Sequence, residues 1–122
     1  MTLQRQRTGR RGERLAEQYL VSLGARVLAR NYRVPYAEVD LILEHVGELV
    51  AVEVKTRDVE DFVAPEECVY WSQLRRVVRG LATFANENQL LDVAWRIDVI
   101  VIVICDDGEV LRFNHLEGVY PG

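Results

Sequence analysis

The feature that most restricts this fold is a pair of apolar-rich segments, Glu38 to Leu43 and Leu49 to Arg57. A short link joins them, and its only glycine is Gly47. Val, Leu and Ile dominate both segments, and such side chains favour extended chain. A turn at Val46-Gly47 makes the pair an antiparallel hairpin. The register that follows sets Asp40 opposite Glu53 and Glu38 opposite Lys55. Alternation puts these four side chains on one face, while Val39, Leu41 and Leu43 meet Val50, Val52 and Val54 on the other, a core-facing surface. Directly opposed side chains have Cβ atoms roughly 5 Å apart. Two carboxylates held that close repel each other, and one tends to keep a proton unless a cation intervenes.

The remaining periodicity places this hairpin in a larger sheet. Gly12 to Leu23 reads as an amphipathic helix, with Leu15, Ala16, Tyr19, Leu20 and Leu23 on one stripe and Gly24 as its stop. Glu13 falls at the edge of that stripe, where it can face the interior or simply answer the helix dipole. Ala25 to Tyr32 reads as a first strand and Asp58 to Glu67 as an acidic loop. Ser72 to Asn88 is a second helix, with Leu74, Val77, Val78, Leu81, Phe84 and Ala85 inward and Arg75, Arg76 and Arg79 on the opposite face. The unbroken apolar run in Trp95 to Ile104 predicts a strand buried on both faces. Asp106-Asp107-Gly108 then turns into an edge strand, Glu109 to His115. The order α-β-β-β-α-β-β predicts an α/β fold, one mixed sheet of about five strands flanked by helices. No linker divides the chain, so residues 1–122 are expected to form a single domain, with 1–9 a mobile arginine-rich arm.

Lys55 is the only lysine in the chain, against fourteen arginines. Burial can lower a lysine's pKa, whereas arginine stays charged, so a lone lysine beside a carboxylate suggests chemistry that a guanidinium cannot perform. A hard divalent ion would resolve the Asp40–Glu53 conflict; Mg²⁺ takes one or two carboxylates and fills its other positions with water and phosphate. Lys55 would then orient a water or neutralise charge developing on a phosphate. The alternative is a wet hairpin face on which Glu38 pairs with Lys55. That accounts for those two residues and leaves Asp40 against Glu53 without a reason.

The net charge of −4 speaks mildly against a nucleic-acid protein, but the arginines are clustered. Arg5, Arg7, Arg10, Arg11 and Arg14 form one group and Arg75, Arg76 and Arg79 another, and local clusters govern phosphate binding more than the total does. Cys68 and Cys105 form no CxxC pair and are too few for a disulfide framework, which fits a reducing cytoplasm. No apolar run is long enough to span a membrane. His45 and His115 stand at no zinc-ligand spacing, and neither a nucleotide-binding glycine loop nor a nucleophile elbow is present. Asp98, in a buried strand beside Arg96, reads as a hydrogen-bonded structural acid.

Asp40, followed after twelve residues by Glu53-Val54-Lys55, resembles the PD-(D/E)xK nuclease signature. The wider string is similar to the YraN-type bacterial family and to archaeal Holliday junction resolvases. The matching stretches are GRRGERLAEQYL (9–20), Asn31-Tyr32-Arg33, AEVDLI (37–42), VAVEVKTR (50–57) and Arg96-Ile97-Asp98-Val99. The resemblance implies a restriction-endonuclease-like fold and a divalent-metal-dependent endonuclease, with Mg²⁺ or Mn²⁺ as cofactor and branched or structured DNA as substrate. It matches Asp40 and Glu53 to the metal ligands, Lys55 to the catalytic lysine and Glu13 to the acid of the first helix, with Glu38 supporting. Arg10, Arg11, Arg33, Arg57, Arg75, Arg76 and Arg79 are the candidate phosphate contacts, and a homodimer would place two sites across a junction. Ala37 stands where the family usually has glycine, and Gln73 replaces a lysine common at the start of the second helix, which would weaken phosphate contact there. A non-catalytic nucleic-acid-binding or protein-interaction module on the same fold is the rival expectation.

Overall fold

In a computed structural model describing residues 3–61 and 63–120, the apolar runs become five strands of one sheet and the two amphipathic segments become its covering helices. The elements are α1 (Leu3–Ser22), β1 (Arg26–Val34), β2 (Ala37–His45), β3 (Glu48–Asp58), α2 (Trp71–Glu87), β4 (Trp95–Ile104) and β5 (Val110–Leu116). Two short 3₁₀ turns, Val59–Asp61 and Pro65–Cys68, fill the expected acidic loop. Strand order follows the sequence; β3 and β4 pair parallel across the α2 crossover and every other pair is antiparallel. This is the expected mixed-sheet, restriction-endonuclease-like α/β architecture.

Each helix covers one face. Ala16 and Leu20 of α1 pack on Leu41, Leu43, Val50, Val52, Ile100 and Ile102. Leu74, Val77, Leu81, Phe84 and Ala85 of α2 pack on Ile42, Ala51, Ile97, Val99 and Val101. Strand β4 therefore has core on both sides, and Ile97 to Ile104 are all buried, as its continuous apolar run requires. Two glycines set the close approach of the helices. A Cβ on Gly12 would lie 2.1 Å from the Thr56 hydroxyl, and one on Gly80 would lie 2.7 Å from a Val39 methyl. Gly80 is where α2 presses on β2.

Three expectations need correction. Helix α1 begins at Leu3 rather than at Gly12, so it takes in residues 3–9 of the arginine-rich arm, while residues 1 and 2 lie outside the described residues. The stretch Arg5 to Arg11 has no apolar stripe to announce it, but arginine and glutamine are good helix formers. Second, Val39 does not share a face with Leu41. It packs with α2, whereas Leu41 packs with α1, so β2 reverses its facing at Asp40. Asn31, opposite that point on β1, adopts the left-handed region (φ 48°) and drops out of the β1–β2 ladder together with Asp40. Third, Glu38 does not pair with Lys55. It forms an ion pair with Arg33 at 3.3 Å. The hairpin register is the expected one from His45–Glu48 to Leu41–Val52, where the ladder ends. Its turn is the expected Val46-Gly47, with both residues at positive φ (52° and 77°), as a tight two-residue hairpin turn demands.

Candidate active site

The end of the β2–β3 ladder creates the site. In place of a backbone carbonyl, the Asp40 carboxylate takes the next hydrogen bond: Val54 N–H donates to Asp40 Oδ2 at 2.8 Å. The Asp40 N–H in turn points at Glu53 Oε1 across 3.5 Å. The two acids thus meet where the strands part, Glu53 only 3% exposed. Gln73, in the first turn of α2, donates to Glu53 Oε2 at 3.0 Å, and its amide oxygen accepts from Lys55 Nζ. Glu53, Gln73 and Lys55 are therefore linked in one chain of hydrogen bonds, with the Lys55 amine also lying 5.6 Å from the centre of the Tyr70 ring.

Burial, with the neighbouring Asp40 charge adding to it, pushes the Glu53 carboxyl up to about 8. Asp40 is raised as well, again by burial first, against the opposing pull of the Val54 N–H and of Lys55. Lys55 moves the other way, its ammonium disfavoured by burial and only partly rescued by Glu53 and Asp40. Glu13 of α1 is raised by burial and by Asp40 and Glu38, with an Asn31 hydrogen bond and Arg10 pulling it down. Among the described residues neither Asp40 nor Glu53 forms an ion pair within 4.0 Å. One buried and one half-buried carboxylate, neither in an ion pair, form a hard-oxygen donor set. No third His, Cys, Asp or Glu closes a cage among the described residues. That set suits an ion content with one or two carboxylates, as Mg²⁺ is, and would not suit zinc.

A cleft of about 1190 Å³ opens on the α1 side of the sheet end; Arg10, Glu13, Arg33, Glu38, Val54 and Arg57 line it. A smaller one of about 380 Å³ joins Glu13 to Asp40, with Arg10, Arg14 and Arg30 around it. Asp40 thus stands between Glu13 and Glu38 on the α1 side and Glu53, Lys55 and Gln73 on the α2 side.

Residues 12–102 match the profile described as Uncharacterised protein family UPF0102. The chain belongs to that family. The UPF0102 protein of Dictyoglomus turgidum is 34% identical over 112 residues, covering 92% of this chain and 95% of the relative. The UPF0102 protein of Paenarthrobacter aurescens is 38% identical, with 91% of both chains covered. That of Moorella thermoacetica is 32% identical over 120 residues, 98% of this chain and all of the relative. The YraN-type resemblance carried by the sequence motifs is this family.

The UPF0102 match spans Glu13, Glu38, Asp40, Glu53, Lys55 and Gln73, and the fold brings the first five of them, the expected site acids and lysine, to one end of the sheet. The expected arginines divide. Arg10, Arg33 and Arg57 line the large cleft. Arg11 is turned away, its guanidinium donating to the Gly108 carbonyl. Arg75, Arg76 and Arg79 are exposed along α2. Sequence reasoning noticed Gln73 only as a departure from a common lysine; the structure makes it the bridge between Glu53 and Lys55. No local pattern announces that contact, because it joins residues twenty apart across two elements.

Proposed function

We propose that this UPF0102 protein is a divalent-metal-dependent endonuclease that hydrolyses phosphodiester bonds in DNA, branched or otherwise structured DNA in particular. One observation carries the reading: half-buried Asp40 and buried Glu53 lie side by side with no ion pair among the described residues, and the chain's sole lysine is tied to one of them through Gln73. Asp40 and Glu53 would hold Mg²⁺ or Mn²⁺, which when bound supplies charge stabilisation for the phosphoryl oxygens and a more acidic water. The chain's own groups do the rest. Lys55, with its ammonium already disfavoured by burial, positions a water or neutralises charge growing on the phosphate. Gln73 fixes the direction of that amine. Glu13 lines the approach from the α1 side, and Arg10, Arg33 and Arg57 hold the backbone in the cleft, with Arg75, Arg76 and Arg79 available on α2. A homodimer would present two such sites to a junction.

The test is cleavage of a labelled four-way junction in Mn²⁺. Wild-type protein nicks it, and Lys55→Ala loses at least two orders of magnitude in rate, the usual scale for one catalytic group, while binding the junction with unchanged affinity. Equal cutting by Lys55→Ala would refute the assignment. The rival reading, a non-catalytic binding or interaction module, draws on Gln73: with Glu53 and Lys55 both satisfied by its amide, the site is hydrogen-bonded without an ion. Calorimetric titration with Mn²⁺ separates the two, since heat of binding that disappears in Asp40→Asn belongs only to the first.

A further inference from the structure

Two consecutive aromatic side chains, Tyr70 and Trp71, lead into α2 with 51% and 52% of their surface exposed. Neither joins the core cluster that takes in their neighbours Cys68, Val69 and Leu74. Among the described residues neither makes an aromatic pair or a side-chain hydrogen bond, and Tyr70 has the Lys55 amine over its ring at 5.6 Å. Scattered exposed aromatics are ordinary on protein surfaces. These two are adjacent and unused by the core, and the first of them, Tyr70, lies at the lysine to which the hydrolytic reading assigns the scissile phosphate. Arg75 follows Trp71 by one helical turn and is likewise exposed, so an indole and a guanidinium share one face of α2.

We infer that Tyr70 and Trp71 form a stacking platform for an unpaired base flanking the phosphodiester at Lys55, with Arg75 on the adjoining backbone. The substrate that fits is DNA with single-stranded or splayed nucleotides, such as a fork or a branch point, rather than continuous duplex. A base inside a duplex already has both faces stacked and cannot use the platform without leaving the helix. An unpaired base gains from any exposed aromatic face, whatever its identity, so the platform selects for strand structure and not for sequence. This rests on the proposed site and names the form of DNA it takes.

The test measures binding separately from cutting. Fluorescence anisotropy in EDTA compares a labelled oligothymidylate, a forked duplex and a fully paired duplex of the same sequence. Wild-type protein is expected to bind the first two more tightly than the third. Trp71→Ala should weaken the first two by roughly ten-fold or more, the scale of one lost base–aromatic stack, and leave the third unchanged; Trp71→Phe should restore most of the loss. Both side chains are half exposed, and an unchanged melting temperature for each variant excludes a folding defect. Preference for paired duplex, no binding to any of the three, or equal affinities for wild type and Trp71→Ala would each overturn the platform. If the selective loss occurs while no DNA is cut in Mn²⁺, the platform stands and the nuclease reading falls. If cutting requires Lys55 yet Trp71→Ala cuts forks and binds all three like wild type, the reverse holds.

Discussion

Two acidic sites lie in the same sheet and are treated in opposite ways. Asp98 on β4 is fully buried, and the fold answers its charge completely. Arg96 Nε donates at 3.1 Å, the Gly118 N–H at 3.0 Å, and His115 Nε2 lies at 2.8 Å, with Tyr19 and Glu48 extending the network. Burial alone would raise this acid; the His115, Gly118 and Arg96 hydrogen bonds outweigh it and hold the pKa below the ordinary value. At the other site, Asp40 and Glu53 receive backbone and amide hydrogen bonds and, among the described residues, no ion pair, and both are raised. Where a fold surrounds a buried acid with its own cation, the acid is structural. Where it gathers two acids with only the nearby Lys55 amine and no ion pair, their charge is left partly uncompensated, and perturbed groups of that kind are candidates for functional sites.

Removing the compensated acid should have the largest effect. Asp98→Ala takes the central carboxylate from Arg96, whose side chain is only 16% exposed, and from His115 at 7%, leaving Glu48 beside the one and Tyr19 beside the other. Breaking one partner out of a buried ionic network costs about 3–5 kcal/mol, read as a lower urea midpoint at pH 7. A loss of less than about 1 kcal/mol would mean the network is ornamental and would dissolve the contrast between the two sites.

The sharper test is that the two sites give opposite pH slopes. Asp98 has a depressed folded-state pKa, so its contribution is complete above the ordinary carboxyl value of 3.8 and is lost as pH falls below it. Glu53 has a raised one, from 4.5 to about 8, so metal-free stability is intact below 4.5 and declines as pH climbs towards 8. One proton released on unfolding changes the free energy by about 1.4 kcal/mol per pH unit. Urea unfolding between pH 5 and 8 in EDTA should show that decline, Glu53→Gln should flatten it, and Mn²⁺ should restore wild type most at the alkaline end. A flat wild-type profile in EDTA would show that burial does not hold a proton on this pair.

The same contrast explains what could be read in the sequence. The hairpin register was legible because Gly47 fixes the turn and the alternation fixes everything downstream of it as far as Leu41–Val52. Beyond that point a side chain competes with the ladder for the Val54 N–H, and periodicity says nothing of such a substitution. Hence the acids were placed together correctly while the partners of Glu38 and the facing of Val39 were not. Asp98 was recognisable as structural from its buried strand and nearby Arg96, but His115 and Gly118 reach it from the chain's far end. The first two turns of α1 lack the apolar stripe on which helix recognition relies. Gln73 and Tyr70 are visible only once α2 is docked beside β3.

A smaller prediction sharpens the comparison by acting on the hairpin's closed end. Val46 is 82% exposed and holds a left-handed φ of 52°, a costly conformation for a β-branched residue and an easy one for asparagine. Val46→Asn should therefore stabilise the protein by about 1 kcal/mol, the penalty of left-handed backbone for an L residue. The gain should be the same at pH 5 and pH 8, with and without Mn²⁺, because the turn lies at the opposite end of β2 and β3 from Asp40 and Glu53. If the variant instead changed the alkaline slope, tightening the turn would be altering how the strands part at Asp40. The open and closed ends of the hairpin would then be one mechanical unit, and the raised acids would owe part of their character to strain transmitted along the strands rather than to burial where they stand.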